Sequence, residues 1–449
     1  MRPSELSLWR CFAPPAGTAS VAILAFALGL GWHTTIRADD YERPPIDYAN
    51  GPLADPVTKL VEQLEQGDAR LEYDDRHGWL PSLLEALDIP RSSQMLVFSK
   101  TSLQRHRITP RHPRALYFND DVYVGWCDQG DVLEISSVDP RQGAVFFSVD
   151  QNERERPVLM RQMDRCTLCH SSSQTLGVPG HVVRSVFPDR AGEPVYASGT
   201  FRIDHTSPFE KRWGGWYVTG THGEQRHMGN ALVARGSDTD SLDREAGANL
   251  TDIADKFAAG KYLTPHSDIV ALMVFEHQTM MHNLITKASY QTRIALHQEA
   301  ELRELLELKE GERSESTQAR IRGAGETLLR YLLFCEEAPL TDAVRGTSGF
   351  AEEFARRGPR DSRGRSLREF DLEKRLFRYP CSYLIHSQAF AALPPEMKDY
   401  LHRRLWDVLT GRDDDPRFAH LAPEDRTAIL EILRDTLDDP PEQWRTESP

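Results

Sequence analysis

Between residues 95 and 147 the apolar residues come in short β-rich runs, and after residue 266 they come at helical spacing. That change of period constrains the fold more than any other feature of the chain. The runs are Met95-Leu96-Val97-Phe98, Ala115-Leu116-Tyr117-Phe118, Val122-Tyr123-Val124-Gly125-Trp126, Val132-Leu133-Glu134-Ile135 and Ala144-Val145-Phe146-Phe147. Turn signals separate them at Asn119-Asp120, Gln129-Gly130, Asp139-Pro140 and Gln142-Gly143, which predicts an antiparallel meander. Two short helices are expected before it, over residues 56–66 and 79–87, with Leu60, Val61 and Leu64, then Leu83, Leu84 and Leu87, on apolar faces. Beyond it, Thr264-Pro265 reads as an N-cap with proline at the first helical position. A helix over 266–308 then breaks at the charged stretch 309–316, and further helices are expected over 319–335, 394–409 and 423–437. The expected class is α+β, a β-rich meander followed by an all-α C-terminal region. The segments are a leader with helices (39–92), a β-rich region (93–250) and a helical region (251–449). No internal repeat is visible.

The meander leads into Cys166-Thr167-Leu168-Cys169-His170. Two cysteines three apart can each form a thioether to a vinyl group of one haem, and the histidine after the second is placed to bind its iron. Such attachment takes place outside the cytoplasm, and the N-terminus agrees with export. Arg2 and Arg10 precede an apolar run over residues 21–32, followed by Ile36-Arg37-Ala38. This reads as a signal peptide, residues 1–38, cleaved after Ala38, with an uncleaved N-terminal anchor as the other option. The run is short for a membrane span, and no later run is long enough. In a cytosolic protein the same motif would suggest a redox dithiol or half of a zinc site. Zinc needs further ligands, and no second Cys-x-x-Cys occurs; the dithiol expects a thioredoxin-like setting that the flanks do not supply.

The net charge is −14, and removing Arg2, Arg10, Arg37 and Glu5 with the leader takes it to about −16. So acidic a surface argues against nucleic acid and anionic membranes, and favours a basic or small neutral partner. Cys127, Cys335 and Cys381 remain outside the motif, and Cys335 and Cys381 could pair or stay as buried free thiols.

A sixth iron ligand would decide between electron transfer and chemistry at the metal. Met228, in Arg226-His227-Met228-Gly229-Asn230, is the candidate distal ligand, with His227, His222 and His205 as competitors. Ile269, Met273, His277, Met280 and Leu284 share a helical face that reads as core, and His277 and His282, five apart, would not both point at one metal. Arg184, Arg202, Arg212, Trp213 and Trp216 could receive haem propionates or flank the ring. Residues 171–180 read as a loop, and 236–249 as a polar, acidic linker without the spacing of a calcium loop.

Cys166, Cys169 and His170 resemble the haem-attachment motif of bacterial c-type cytochromes, and the chain is similar to large exported bacterial proteins that carry a cytochrome c domain. The resemblance implies one covalent haem c, His170 as proximal ligand, and periplasmic single-electron exchange with a redox partner protein. A compact cytochrome c has a helix before its motif, whereas here a β-rich stretch precedes it. The alternative is a haem-dependent oxidoreductase with an open distal site, in which His222, His227 and His205 supply acid–base groups. Neither a phosphate-binding Gly-rich loop, nor His-Glu-x-x-His, nor Gly-x-Ser-x-Gly is present to name a reaction.

Overall fold

A computed structural model describes residues 41–234, 242–309 and 311–446. The N-terminal apolar run and most of the acidic part of the linker lie outside the described residues. Six strands form one antiparallel sheet in sequence order: β1 (Met95–Val97), β2 (Arg114–Phe118), β3 (Val122–Trp126), β4 (Val132–Asp139), β5 (Gly143–Asp150) and β6 (Leu159–Arg161). The meander is as expected, with β4 and β5 extended and β6 added. Its strands read as continuous apolar runs because the sheet is covered on both sides. Every residue of β3 is buried.

One face carries Leu96, Ala115, Tyr117, Val122, Val124, Leu133, Ile135, Val145 and Phe147. They pack with Val57 and Leu60 of α1 (Pro56–Gln66) and Leu80, Leu83 and Leu84 of α2 (Leu80–Ala86). The other carries Met95, Val97, Leu116, Phe118, Tyr123 and Val138, and shares one core with the C-terminal helices. The motif helix is α3 (Asp164–His170), and a small ribbon follows it, β7 (Arg184–Val186) against β8 (Thr200–Arg202). Then come α4 (Ile269–Leu302), α5 (Glu315–Leu332), α6 (Phe350–Arg356), α7 (Gln388–Ala391), α8 (Pro395–Leu409), α9 (Pro423–Thr436) and α10 (Glu442–Thr446). The described residues belong to one compact unit, so the change from strand to helix near residue 250 does not divide the core.

Helix α4 has 34 residues, most of them buried, and spans about 50 Å at 1.5 Å per residue. It begins later than the Thr264-Pro265 signal. Asp268 is the N-cap, its carboxylate accepting from Val270 and Ala271 N–H at 2.8 and 3.2 Å, while the other oxygen takes Thr347 and Ser348 N–H at 2.7 and 2.8 Å. Asp268 satisfies helix and neighbouring chain together, which Thr264 does not. Among the described residues no helix is long and apolar enough to cross a membrane.

Candidate haem-attachment site

In a helix, positions 166, 169 and 170 fall within an arc of about 100°, so α3 turns both thiols and the imidazole to one side. Cys166 is half-buried, Cys169 exposed and His170 half-buried. All five described cysteines are free, Cys335 and Cys381 included. Burial, reinforced by Glu134, pushes the Cys166 thiol up to about 11. A redox dithiol needs the opposite, a thiolate stabilised near neutral pH.

His170 Nδ1 lies 2.9 Å from Gly180 O. A carbonyl only accepts, so Nδ1 carries the proton and Nε2 the lone pair. Nε2 has no hydrogen-bond partner among the described residues. Burial, the largest influence on the ring, lowers its pKa and favours the neutral form. Phe146 of β5 packs on the imidazole with ring centroids 4.9 Å apart.

The acceptor is itself held from three sides. Gly180 N–H donates to His170 O at 2.8 Å, and Thr175 Oγ1 donates to Val178 O at 2.8 Å inside the loop. Ala144 N–H of β5 donates to Pro179 O at 3.2 Å. From α4, Asn283 accepts from His181 N–H at 2.8 Å and donates to His181 O at 2.6 Å. Residue 180 must be glycine for this approach, since a Cβ there would stand 2.2 Å from Asn283 Oδ1. Behind the loop, His181 Nε2 meets Ser136 Oγ at 2.7 Å and its ring lies 4.4 Å from Tyr123. Tyr123 OH accepts from Gln278 Nε2 at 2.8 Å and meets His282 Nδ1 at 3.0 Å.

The surroundings fit a flat apolar group. Val158, Met160 and Leu168 are 53, 45 and 82% exposed, uncommon values for large apolar side chains, and all three lie within ten residues of the motif. Met160 is paired with Ser148, two residues along β5 from Phe146, and so shares its sheet face. On that face the Arg114–Glu134 ion pair, 2.5 Å, lies over Gly125 and bears on both Cys166 and His170. A cavity of about 480 Å³ lined by Tyr73, Arg76, His77, Trp126 and Lys261 includes no residue of the motif.

The other candidates from the sequence are engaged elsewhere. Met228 is fully buried among Phe187, Ala231, Val233 and Leu242, and its sulfur accepts from Ser185 Oγ at 3.6 Å, a shell separate from Phe146 and Gly180. His222 Nε2 accepts from Asn249 N–H and His227 Nδ1 from Gly229 N–H, both at 3.0 Å. Each ring therefore has its proton on the remaining nitrogen, which leaves no lone pair for a metal. His205 and His277 share a hydrogen bond of 2.7 Å between their Nδ1 atoms, and His277 Nε2 meets Ser382 Oγ at 2.8 Å. The α4 stripe is core, as its spacing suggests, and His277 and His282 have separate partners. Arg212 is a buried partner of Glu276 at 2.6 Å, joined by Trp213 Nε1 at 3.1 Å, and Trp216 Nε1 donates to Arg184 O at 2.8 Å. Those three residues are core, not ring neighbours of the motif.

Gly180, Asn283, Phe146 and Met160 escaped the sequence reading. Gly177-Val178-Pro179-Gly180 announces a turn but not an acceptor, and nothing local links residue 283 to residue 170. No group of three or more His, Cys, Asp or Glu side chains forms a metal-binding cluster among the described residues. Comparison with known protein families, with characterised proteins and with solved structures finds no match.

Proposed function

We propose that this is an exported protein that carries one haem c on Cys166 and Cys169, with His170 Nε2 on the iron, and that it exchanges single electrons with a redox partner. The hydrogen bond from His170 Nδ1 to Gly180 O carries the reading. A metal-bound histidine commonly donates its second N–H to a carbonyl or carboxylate, which fixes ring and tautomer and makes the free nitrogen a better ligand. Free thiols at both cysteines and exposed apolar residues beside them support the same occupant. Bound there, the group would supply a one-electron couple at its iron.

The test is expression in an exporting host with a cytochrome c maturation system. Wild type should keep its haem through acid–acetone extraction, and Cys166→Ala with Cys169→Ala should release all of it. Haem that is never covalently held in wild type would end the proposal.

A second reading, an oxidoreductase with an open distal position, has its own support: Met228, His222 and His227 are committed to other partners. Carbon monoxide separates the two. A shift of the reduced spectrum in wild type means an open site. A shift only in Met160→Ala means that Met160, on the sheet face of Phe146, closes it.

A further inference from the structure

The β7–β8 ribbon sets Arg184 directly opposite Arg202. Like charges on cross-strand neighbours repel, and such pairs are destabilising unless something anionic joins them. Here the guanidinium groups hold only neutral oxygens: Arg184 Nη2 donates to Thr200 Oγ1 and Arg202 Nη1 to Gln174 O, both at 3.3 Å. A third cation, Lys287, stands half-buried on α4. Burial and then the charge of Arg202 hold its ammonium below the ordinary lysine range, and no carboxylate opposes them.

Among the described residues none of the three has a carboxylate at ion-pair distance, in a chain of net charge −14. Several other arginines do find one, Arg375 with Asp425, Arg404 with Glu326 and Asp413, and Arg365 with Glu431, while Arg161 and Arg293 hold backbone carbonyls. The place of the cluster is equally specific. Gln174, which Arg202 holds, is four residues past His170. Lys287 is one turn of α4 beyond Asn283, the residue that pins the Gly180 loop, and so lies on the same side of the helix.

We propose that Arg184, Arg202 and Lys287 form a binding site for carboxylate or phosphate oxygens at the margin of the Cys166–His170 motif. Two guanidinium forks and one ammonium suit a group with several anionic oxygens. Its occupant is either the haem's own propionates or a small free anion. The site stands without the haem reading; only the first of these occupants depends on it.

Calorimetry at low ionic strength, with inorganic phosphate and succinate as probes, tests this on the full chain. The Cys166→Ala, Cys169→Ala protein, which cannot attach haem, should bind one phosphate or succinate. Adding Arg184→Gln, Arg202→Gln and Lys287→Gln should weaken that binding roughly tenfold or more, with circular dichroism and melting as controls for folding. Where haem attaches, loss of probe binding in the loaded protein assigns the site to the propionates, and unchanged binding assigns it to a free anion. Failure of haem to attach leaves the probe experiment intact and counts only against the haem reading. Equal probe binding with and without the three cations overturns the site.

Discussion

Gly180 does three things at once: it accepts from His170, donates back to it, and leaves room for Asn283. Gly180→Ala should therefore push the loop off α4, costing about 1–3 kcal/mol as an overpacked core position does, and loosen the imidazole. Denaturant unfolding would register the first effect, and the spectrum of protein loaded with the proposed haem the second. Met228→Ala offers the contrast. A fully buried methionine cut to alanine costs about 2–5 kcal/mol, yet the spectrum of the loaded protein should not change if the sulfur serves only Ser185 and its apolar neighbours. A changed iron spectrum at preserved folding would return Met228 to the metal. The pentapeptide was legible as a pattern because its five residues are adjacent. Its support was not, since Asn283 and Phe146 reach His170 and its loop only through tertiary contacts, and sequence spacing says nothing of those.

Among the elements, the meander was readable from its turn signals, and its errors are instructive. The second half of β4, Ser136-Ser137-Val138-Asp139, looks too polar for a strand, yet Ser137 and Asp139 are buried. Asp139 is satisfied by Ala54, Arg141 and Gln142 N–H at 2.6, 2.8 and 2.8 Å, so its burial does not leave a charge without donors. Strand β6 and the β7–β8 ribbon have three residues each and form by pairing, with too little periodicity to detect. The start of α4 was misplaced because Thr-Pro is a strong local signal and Asp268 draws its advantage from residues 347 and 348. Asp268→Ala should consequently exceed the usual loss of about 0.5–2 kcal/mol for an N-cap, since it also takes the acceptor from the half-buried N–H groups of Thr347 and Ser348. Equilibrium unfolding of that variant would measure it, and a loss under 0.5 kcal/mol would contradict the account.

On the scale of the whole molecule, the sheet lies between α1–α2 and the C-terminal helices, and the core on the helical side is full of neutral histidines. His181, His205 and His277 are held well below the ordinary imidazole range by burial, and His227 and His282 are lowered to about 3 by the same cause. A histidine with a lowered folded pKa takes up its proton first in the unfolded chain. Its contribution is complete above about pH 6.5 and is lost as pH falls from there toward the folded pKa, at up to about 1.4 kcal/mol per unit. Asp121, Glu276 and Glu337, raised by burial to about 7, 8 and 7, act in the opposite sense, stabilising below their unfolded pKa and losing that effect as pH rises toward 7 or 8. The histidines are more numerous, so unfolding free energy should drop between pH 6.5 and 5; a flat profile there would show that they are not buried neutral.

The clamp on His170 also has a position in time. Its far jaw, Asn283, lies 113 residues beyond the histidine. A chain made N-terminus first presents Cys166 to His170 before that jaw exists. The pentapeptide is accessible in the emerging chain and fixed only in the finished one, so the proposed attachment of haem would compete with the folding of α4 over the loop.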